Sequence, residues 1–334
     1  MRSGKPAVNA TAAWANLTGR LRLPLIVAPM LRVSGPDLVV GACRAGAIGA
    51  FPTANARSCE RLSDWLAQIG ERLAGTAAGP VCPNLIIRQP KLDEHLEVLV
   101  RHRVEMVITS VGSPAEVIEP LHGVGAVVLA DVASLRHAER ALDAGVDGLV
   151  LLVAGAGGQT GWMNPFAFVR AVRSFFDGPL VLGGGISDGV SLRAARELGC
   201  DLAYMGTRFI ATRESEAGDR YKQMLVSSSA DDVILTRAFT GLPTSILRPA
   251  VVEAGLDPAR LDEGVSVDAA SGIYGAGAEG FGPKRWTDLF SAGHSVSGVR
   301  DVVGVAELID RIADEYAPQR VPATTTGERG GVPT

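Results

Sequence analysis

Residues 179–209, PLVLGGGISDGVSLRAARELGCDLAYMGTRF, decide the fold of this chain. The pattern predicts an apolar strand over 179–182, an amphipathic helix over 190–198 and a second apolar strand over 201–204. Strands this apolar have no face suited to water, which is typical of parallel strands covered by helices. The stretch therefore predicts one strand–helix–strand unit of a parallel sheet.

The same alternation runs back through the N-terminal half of the chain. Six further strands are predicted before this unit, over 25–28, 48–51, 81–85, 105–109, 126–129 and 148–153. A helix is predicted after each of them, over 36–45, 59–73, 92–101, 114–121, 134–144 and 165–175. Eight strand–helix units in 334 residues predict an α/β protein with a (β/α)8 TIM barrel. An open doubly wound sheet is the alternative.

The alternation stops after Phe209, and this change suggests how the chain is divided. We expect residues 214–303, which include Gly- and Pro-rich pieces, to form an inserted cap over the barrel mouth. A last helix over 304–315 would complete the eighth unit, so that the barrel comprises 18–213 and 304–316. Residues 317–334 are rich in Pro, Thr and Gly and are predicted to be a disordered tail.

Composition argues against several classes of function. The formal net charge is −4, aromatic residues make up 5% of the chain and no basic run occurs, so we expect no nucleic-acid partner. No apolar run reaches the roughly 18 residues of a membrane-spanning helix, and the N-terminus lacks a secretory apolar core, so we expect a cytoplasmic protein without membrane contact. The four cysteines are widely spaced, which predicts reduced thiols and no zinc site. The sequence leaves open whether the protein forms a homodimer.

Two glycine-rich turns predict a phosphate site. One follows the seventh strand and contains Gly183, Gly184 and Gly185; the other follows the eighth strand and contains Met205, Gly206 and Thr207. Glycines let backbone N–H groups approach an anion, and the turns after the last two strands are the usual phosphate site of this fold. The alternative is that these glycines only make tight turns.

Other residues at predicted strand ends would line the barrel mouth. Ala28, Pro29 and Met30 follow the first strand, and Asn84 ends the third. The sixth strand runs into the loop 154–161, in which glycines, Gly158 among them, flank the single amide side chain of Gln159. We expect this loop to present Gln159 to a bound molecule, although a plain surface loop would have the same composition.

Taken together, these motifs resemble the nitronate monooxygenase family, over about 23–315 of the chain. The loop Ser291-Ala292-Gly293-His294 also resembles a family loop near the flavin. The resemblance implies a flavoprotein oxidoreductase with FMN as cofactor. By position, the residues implied to line the flavin ring or bind its phosphate are Ala28, Pro29, Met30, Asn84, Gly158, Gly183, Gly184, Gly185, Met205, Gly206 and Thr207. Ala130, taken as the end of the fifth strand, stands where many relatives have a lysine near the flavin.

One departure from the family pattern bears on the reaction. Relatives with nitronate activity commonly have a histidine where this chain has Gln159, and an amide cannot take a proton. We therefore expect a small substrate that arrives ionised, such as an alkyl nitronate oxidised with O2, with His294 as the best substitute base. The alternative is an NAD(P)H-dependent FMN reductase of a quinone or an enoyl thioester. A flavin-free isomerase or aldolase would need a lysine or paired carboxylates at strand ends, where only Asp131 stands.

Overall fold

Eight parallel strands close into a barrel in the computed structural model, which describes residues 8–274 and 283–317. The barrel strands are β1 (Leu25–Val27), β2 (Ile48–Pro52), β3 (Val81–Ile86), β4 (Met106–Ser110), β5 (Val127–Val132), β6 (Gly148–Leu152), β8 (Leu180–Gly183) and β9 (Leu202–Met205). The last strand pairs with the first, with Ile26 opposite Tyr204, so the sheet has no free edge. The predicted TIM barrel is confirmed, and the open-sheet alternative is wrong.

Helices connect successive strands and cover the outside of the barrel. They are α2 (Pro36–Arg44), α3 (Cys59–Leu73), α4 (Leu92–Arg101), α5 (Ala115–Gly123), α6 (Leu135–Asp143), α7 (Pro165–Arg173), α8 (Gly189–Leu198) and, after the cap, α13 (Val305–Tyr316). Short polar residues begin several of them: the Ser134 hydroxyl accepts from the N–H of His137, and the Asp188 carboxylate accepts from the N–H of Ser191. These caps fix where the capped helices begin, and the predicted bounds of these helices lie within a few residues of the observed ones.

Side chains alternate along each strand between the barrel interior and the helix layer. Ile26, Ile48, Met106 and Leu129 belong to the cluster that fills the lower barrel interior. Helix α1 (Val8–Gly19) precedes the barrel and was not predicted; its Leu17 is buried in that same cluster. The helix therefore closes the end of the barrel opposite the strands' carboxyl ends, and the interior is a packed core rather than a channel.

The segment between β9 and α13 contains regular structure that the sequence pattern did not predict. Its elements are α9 (Thr207–Ile210), α10 (Asp219–Ser227), β10 (Val233–Thr236), β11 (Thr244–Leu247), α11 (Arg248–Glu253) and α12 (Val267–Tyr274). Strand β11 pairs antiparallel with β10 on one side and with β7 (Gly158–Gln159) on the other. Because β7 comes from the loop after β6, this small sheet joins the cap segment to the barrel mouth.

Some predictions fall partly outside the described residues. The glycine-rich piece at 275–277 and almost all of the expected disordered tail, 318–334, lie outside them. Among the described residues, no helix is both long and apolar enough to cross a membrane, and no group of His, Cys, Asp or Glu side chains could hold a metal ion. All four cysteines are free thiols, and three of them are buried.

Candidate functional site

The turn after β8 presents unpaired backbone donors at the barrel mouth. Gly184 and Gly185 have φ values of +139° and +73°, in the left-handed region that glycine adopts without strain. Within the described residues, the N–H groups of both glycines donate to no acceptor. A Cβ on Gly184 would lie 2.7 Å from Val153 Cγ2, whereas a Cβ on Gly185 would meet no atom within 4 Å. Gly184 is thus required by packing, while Gly185 borders open space.

The second glycine turn lies directly beside the first, because β8 and β9 are paired with Gly183 opposite Tyr204. The N–H of Gly206 likewise donates to no acceptor within the described residues. A Cβ on Gly206 would contact Met30 Sδ at 3.4 Å and Ala28 Cβ at 3.5 Å. The predicted phosphate turns and the predicted wall after β1 therefore meet at one place.

The loop that carries Gln159 is fixed by hydrogen bonds at both ends. At its base, the N–H of Ala154 donates to the carbonyl of Met163 at 2.9 Å, and the Thr160 hydroxyl donates to the carbonyl of Val153 at 2.8 Å. At its tip, Gln159 is opposite Thr244 in the β7–β11 ladder. The amide of Gln159 is half-buried and takes part in no hydrogen bond within the described residues. It is therefore a positioned and available donor and acceptor.

The loop at 291–294 packs against the loop after β6, at Gly155, and against the turn after β9, at Thr207. The N–H of Gly293 donates to Thr207 Oγ1 at 2.9 Å, and the N–H of His294 donates to the carbonyl of Gly155 at 2.9 Å. The packing is close enough that a Cβ on Gly293 would lie 2.4 Å from the Gly155 carbonyl oxygen. His294 itself is exposed, and its ring lies against Gly155. No hydrogen bond joins it to Gln159 within the described residues.

Polar side chains form the floor of the mouth inside the barrel. Asn84, predicted as a flavin contact, is buried there, and its Nδ2 donates to the carbonyl of Ile108 and to Ser110 Oγ, both at 3.2 Å. Asp131 and Tyr204 are neighbours inside the barrel. Burial and the charge of Asp131 both raise the pKa of Tyr204. Ser110, Asp131 and Tyr204 are all partly accessible although they point inward, which indicates open space above them.

Asp131 is the most perturbed group on this floor. Its Oδ1 is fully buried and has no hydrogen-bond partner among the described residues. Burial raises the pKa of this carboxyl from 3.8 to about 7, because the interior cannot solvate a carboxylate. The nearby ionisable groups are Cys82 and Tyr204, neutral acids whose pKa values are also raised, and neither side chain can supply a positive charge to offset a carboxylate. An unsatisfied, titratable oxygen below the mouth is the kind of group that a bound molecule would satisfy.

Two predicted residues lie elsewhere than the sequence suggested. β5 continues to Val132, so Ala130 does not end the strand, and its side chain packs in the core under the helices. The inward residue here is Asp131; the period-two alternation of side chains, counted back from the true strand end, could have shown this. The Met205 side chain also faces the helix layer, and only its carbonyl reaches the mouth, where it accepts from the N–H of Ala28 at 3.0 Å.

A family model described as nitronate monooxygenase matches residues 86–315, more than half of the chain. The chain belongs to the nitronate monooxygenase family. A nitronate monooxygenase from Paraburkholderia phytofirmans is 27% identical over 313 residues, covering 76% of this chain and 85% of that protein.

Other relatives carry different names. A protein from Rhodococcus jostii named (3aS,4S,5R,7aS)-5-hydroxy-7a-methyl-1-oxo-octahydro-1H-indene-4-carboxyl-CoA dehydrogenase is 26% identical over 231 residues. That match covers 69% of this chain and 64% of the relative, which is less than two thirds of the relative's length. Among solved structures, a nitroalkane oxidase from Streptomyces ansochromogenes superposes with a TM-score of 0.73 at 25% identity, covering 91% of this chain and 98% of that one. The family is an enzyme family of oxidoreductases, and its members' names span more than one reaction.

Proposed function

We propose that this protein is an FMN-dependent oxidoreductase that oxidises a small substrate arriving as an anion, such as an alkyl nitronate, with O2. The observation that carries the proposal is the pair of adjacent glycine turns after β8 and β9 with unpaired N–H donors. A phosphate group is the ligand that such a pair of turns suits in this fold. Membership of the nitronate monooxygenase family adds the flavin as the phosphate-bearing group.

The residues divide between holding the phosphate and facing the ring. The N–H groups of Gly184, Gly185 and Gly206 would donate to the phosphate oxygens, and the Thr207 hydroxyl can donate as well while it accepts from Gly293. The small side chain of Ala28 and the flexible one of Met30 would pack on the ring. When bound, FMN supplies the electron acceptor that the side chains of this site lack.

Gln159 determines what kind of substrate the site suits. An amide can donate to a substrate oxygen and orient it, but it cannot remove a proton from carbon. His294 does not restore a base beside Gln159, since its ring lies against Gly155 and is exposed. A nitronate is ionised before it binds and needs no base, which is why we propose it in preference to a neutral nitroalkane.

The proposal is tested by the visible spectrum of the purified protein under anaerobic conditions. We expect a flavin spectrum, or one restored by added FMN, that bleaches with an alkyl nitronate and returns with O2. Bleaching by NADH or NADPH, without a response to the nitronate, would instead favour the reductase of a quinone or enoyl thioester. A protein that binds no FMN would overturn both assignments.

The reductase is kept as a second candidate because of one relative's name. The Rhodococcus jostii protein is named as a dehydrogenase of a CoA ester. A coenzyme A ester or a pyridine nucleotide is much larger than an alkyl nitronate and carries several phosphates. Either would need a cationic binding surface beside the flavin site.

A further inference from the structure

A cavity of about 740 Å³ lies beside the barrel mouth, outside the site described above. Its described lining comes from the loops after β1 and β2, from the start of α10 and from the segment around Trp286. Binding sites for cofactor-sized molecules have volumes of roughly 300 to 1,000 Å³. The cavity is therefore large enough for a nucleotide.

Its lining is strongly cationic. Four arginines line it, namely Arg32, Arg57, Arg220 and Arg285, against one carboxylate among the described lining residues, Glu216. An arginine stays protonated at any physiological pH and presents several N–H donors, which suits phosphate oxygens. The cavity therefore favours a ligand that carries more than one negative charge.

Part of this positive charge has no carboxylate partner among the described residues, although the nearby Glu216 offsets some of the charge of Arg57. Arg220 pairs with Glu253, its Nε lying 2.8 Å from the carboxylate, but the side chains of Arg32 and Arg57 make no hydrogen bond or ion pair within the described residues. Within the described residues, the Arg285 guanidinium donates to the Ser271 hydroxyl, at 3.2 Å, and to no carboxylate, and burial lowers its pKa. Arg285 is thus a half-buried cation without a carboxylate partner among the described residues, and such a cation gains free energy when an anion binds, whereas Arg32 and Arg57 are exposed.

Two of these arginines are held in an unusual backbone conformation. Arg32 and Arg57 have φ values of +59° and +65°, which are costly for residues with a Cβ. Asn55 ties their loops together, accepting from the N–H of Arg32 at 2.9 Å and donating to the carbonyls of Met30 and Ser34. Such conformations persist where the surrounding structure imposes them and are concentrated at ligand sites.

Aromatic side chains line the same cavity beside the arginines. The rings of Tyr221 and Phe290 are buried and stack on each other, with centroids 4.3 Å apart and an interplanar angle of 8°. The half-buried Trp286 is the more accessible aromatic ring among the described lining residues. The Arg220 guanidinium lies 5.5 Å from the Phe290 ring centroid. Flat aromatic and guanidinium surfaces bind a nucleobase by stacking. Adenine is therefore a suitable occupant next to the phosphates.

The cavity adjoins the proposed flavin site through two chain connections. Leu31 and Arg32 directly follow Met30, which contacts the Gly206 position. Phe290 directly precedes Ser291, whose hydroxyl lies 3.8 Å from a Cβ placed on Gly158. A molecule anchored in the cavity could therefore extend its other end to the barrel mouth.

We propose that this cavity binds an adenosine diphosphate whose ribose carries a further phosphate. Coenzyme A and NADPH both contain such a group, with the ribose phosphate on the 3′ hydroxyl in coenzyme A and on the 2′ hydroxyl in NADPH. The proposal rests on the second candidate function, the reductase, because it names the nucleotide portion that a thioester substrate or a pyridine-nucleotide cosubstrate would carry. Binding to the cavity is measured without turnover, so it is judged separately from the reaction.

The test is isothermal titration of FMN-saturated protein at low salt with coenzyme A, with NADP⁺ and with adenosine. We expect coenzyme A or NADP⁺ to bind at least about tenfold more tightly than adenosine, since each lost charge-assisted contact weakens binding by about that factor. Binding of coenzyme A alone identifies a thioester substrate, and binding of NADP⁺ alone identifies a pyridine-nucleotide cosubstrate. If neither binds more tightly than adenosine, the proposal is overturned.

Matched variants locate the binding. Arg32→Asn and Arg57→Asn remove a charge while asparagine tolerates the positive φ, and each should weaken binding at least about tenfold. Arg103→Asn is the control, since Arg103 also has a positive φ, +48°, but is exposed on the α4–β4 connection at the opposite end of the barrel.

Should Arg32→Asn or Arg57→Asn unfold the protein, Arg285→Gln tests another arginine that lines the same cavity. Equal affinity in the cavity variants and the control would refute the assignment. Nucleotide binding without any FMN binding would refute the flavin reaction and leave the cavity assignment intact.

Discussion

Replacing Asp131 with asparagine should stabilise the folded protein at alkaline pH. The Asp131 carboxyl lies on the floor of the barrel mouth with Oδ1 buried and unpaired, and burial raises its pKa from 3.8 to about 7. In the unfolded chain the carboxyl is ionised above about pH 4. Between about pH 4 and 7, the folded protein therefore holds a proton that the unfolded chain has released.

The sign and size of the effect follow from this difference in proton binding. Stability falls with rising pH wherever the folded state binds more protons, so this group costs stability from about pH 4 and reaches its full cost above about pH 7. A shift of about three units corresponds to about 4 kcal/mol at 1.36 kcal/mol per unit. Part of the side chain borders the open mouth, so we expect Asp131→Asn to add about 2 to 4 kcal/mol at pH 8. Little of this gain should remain at pH 4.

The assay is urea unfolding of flavin-free wild type and Asp131→Asn at several pH values from 4 to 8.5. The gap between the two midpoints should widen as pH rises and become constant above about pH 7.5. Asp177→Asn is the control, because Asp177 is exposed in the segment between α7 and β8, on the other side of the barrel. A gap that is the same at pH 4 and pH 8, or an asparagine variant that is less stable at pH 8, would refute the account of Asp131.

Three further predictions concern the glycine turns and the loops over them. In a fluorescence titration, Gly185→Ala should lower FMN affinity at least about tenfold, since its methyl group would enter the proposed phosphate site. Gly75→Ala is the control: Gly75 has a similar φ of +70° and also has no atom within 4 Å of an added Cβ, so FMN affinity should be unchanged. Gln159→His should give turnover of a neutral nitroalkane that rises with pH through the histidine pKa, and a flat pH profile would contradict the role given to Gln159. Thr207→Val leaves the buried N–H of Gly293 without its acceptor and should lower the free energy of unfolding in urea by about 1 to 3 kcal/mol. Thr207→Ser keeps the accepting hydroxyl and should retain the wild-type stability.

Local sequence patterns predicted the barrel because its strands and helices are specified by nearby residues. The helix α3 was predicted with its observed bounds, Cys59–Leu73, since Ser58 caps its start and its apolar residues recur at helical spacing. The two glycine turns after β8 and β9 were also predictable from the sequence, because consecutive glycines directly follow an apolar strand, whereas phosphate binding by them stays a prediction. Resemblance in these motifs identified the nitronate monooxygenase family, which the family model confirms.

Strand ends were predicted less well, and this affected the site. The sequence placed the end of the fifth strand at Ala130, whereas pairing with β6 extends β5 to Val132. A shift of one residue exchanges inward and outward side chains, because successive residues of a strand face opposite sides. Asp131 was therefore passed over as a floor residue, although it was noticed as a lone carboxylate.

The sequence by itself determined the barrel, its order of strands and helices, and the family, because short-range periodicity and turn residues specify these features. Only the tertiary structure decided that β11 of the cap segment holds Gln159, that the 291–294 loop closes on Gly155 and Thr207, and that arginines from separate loops line one cavity. These residues lie tens to hundreds of positions apart in the chain. No local pattern encodes such contacts, since they form only when packing of the whole barrel brings distant loops together at its mouth.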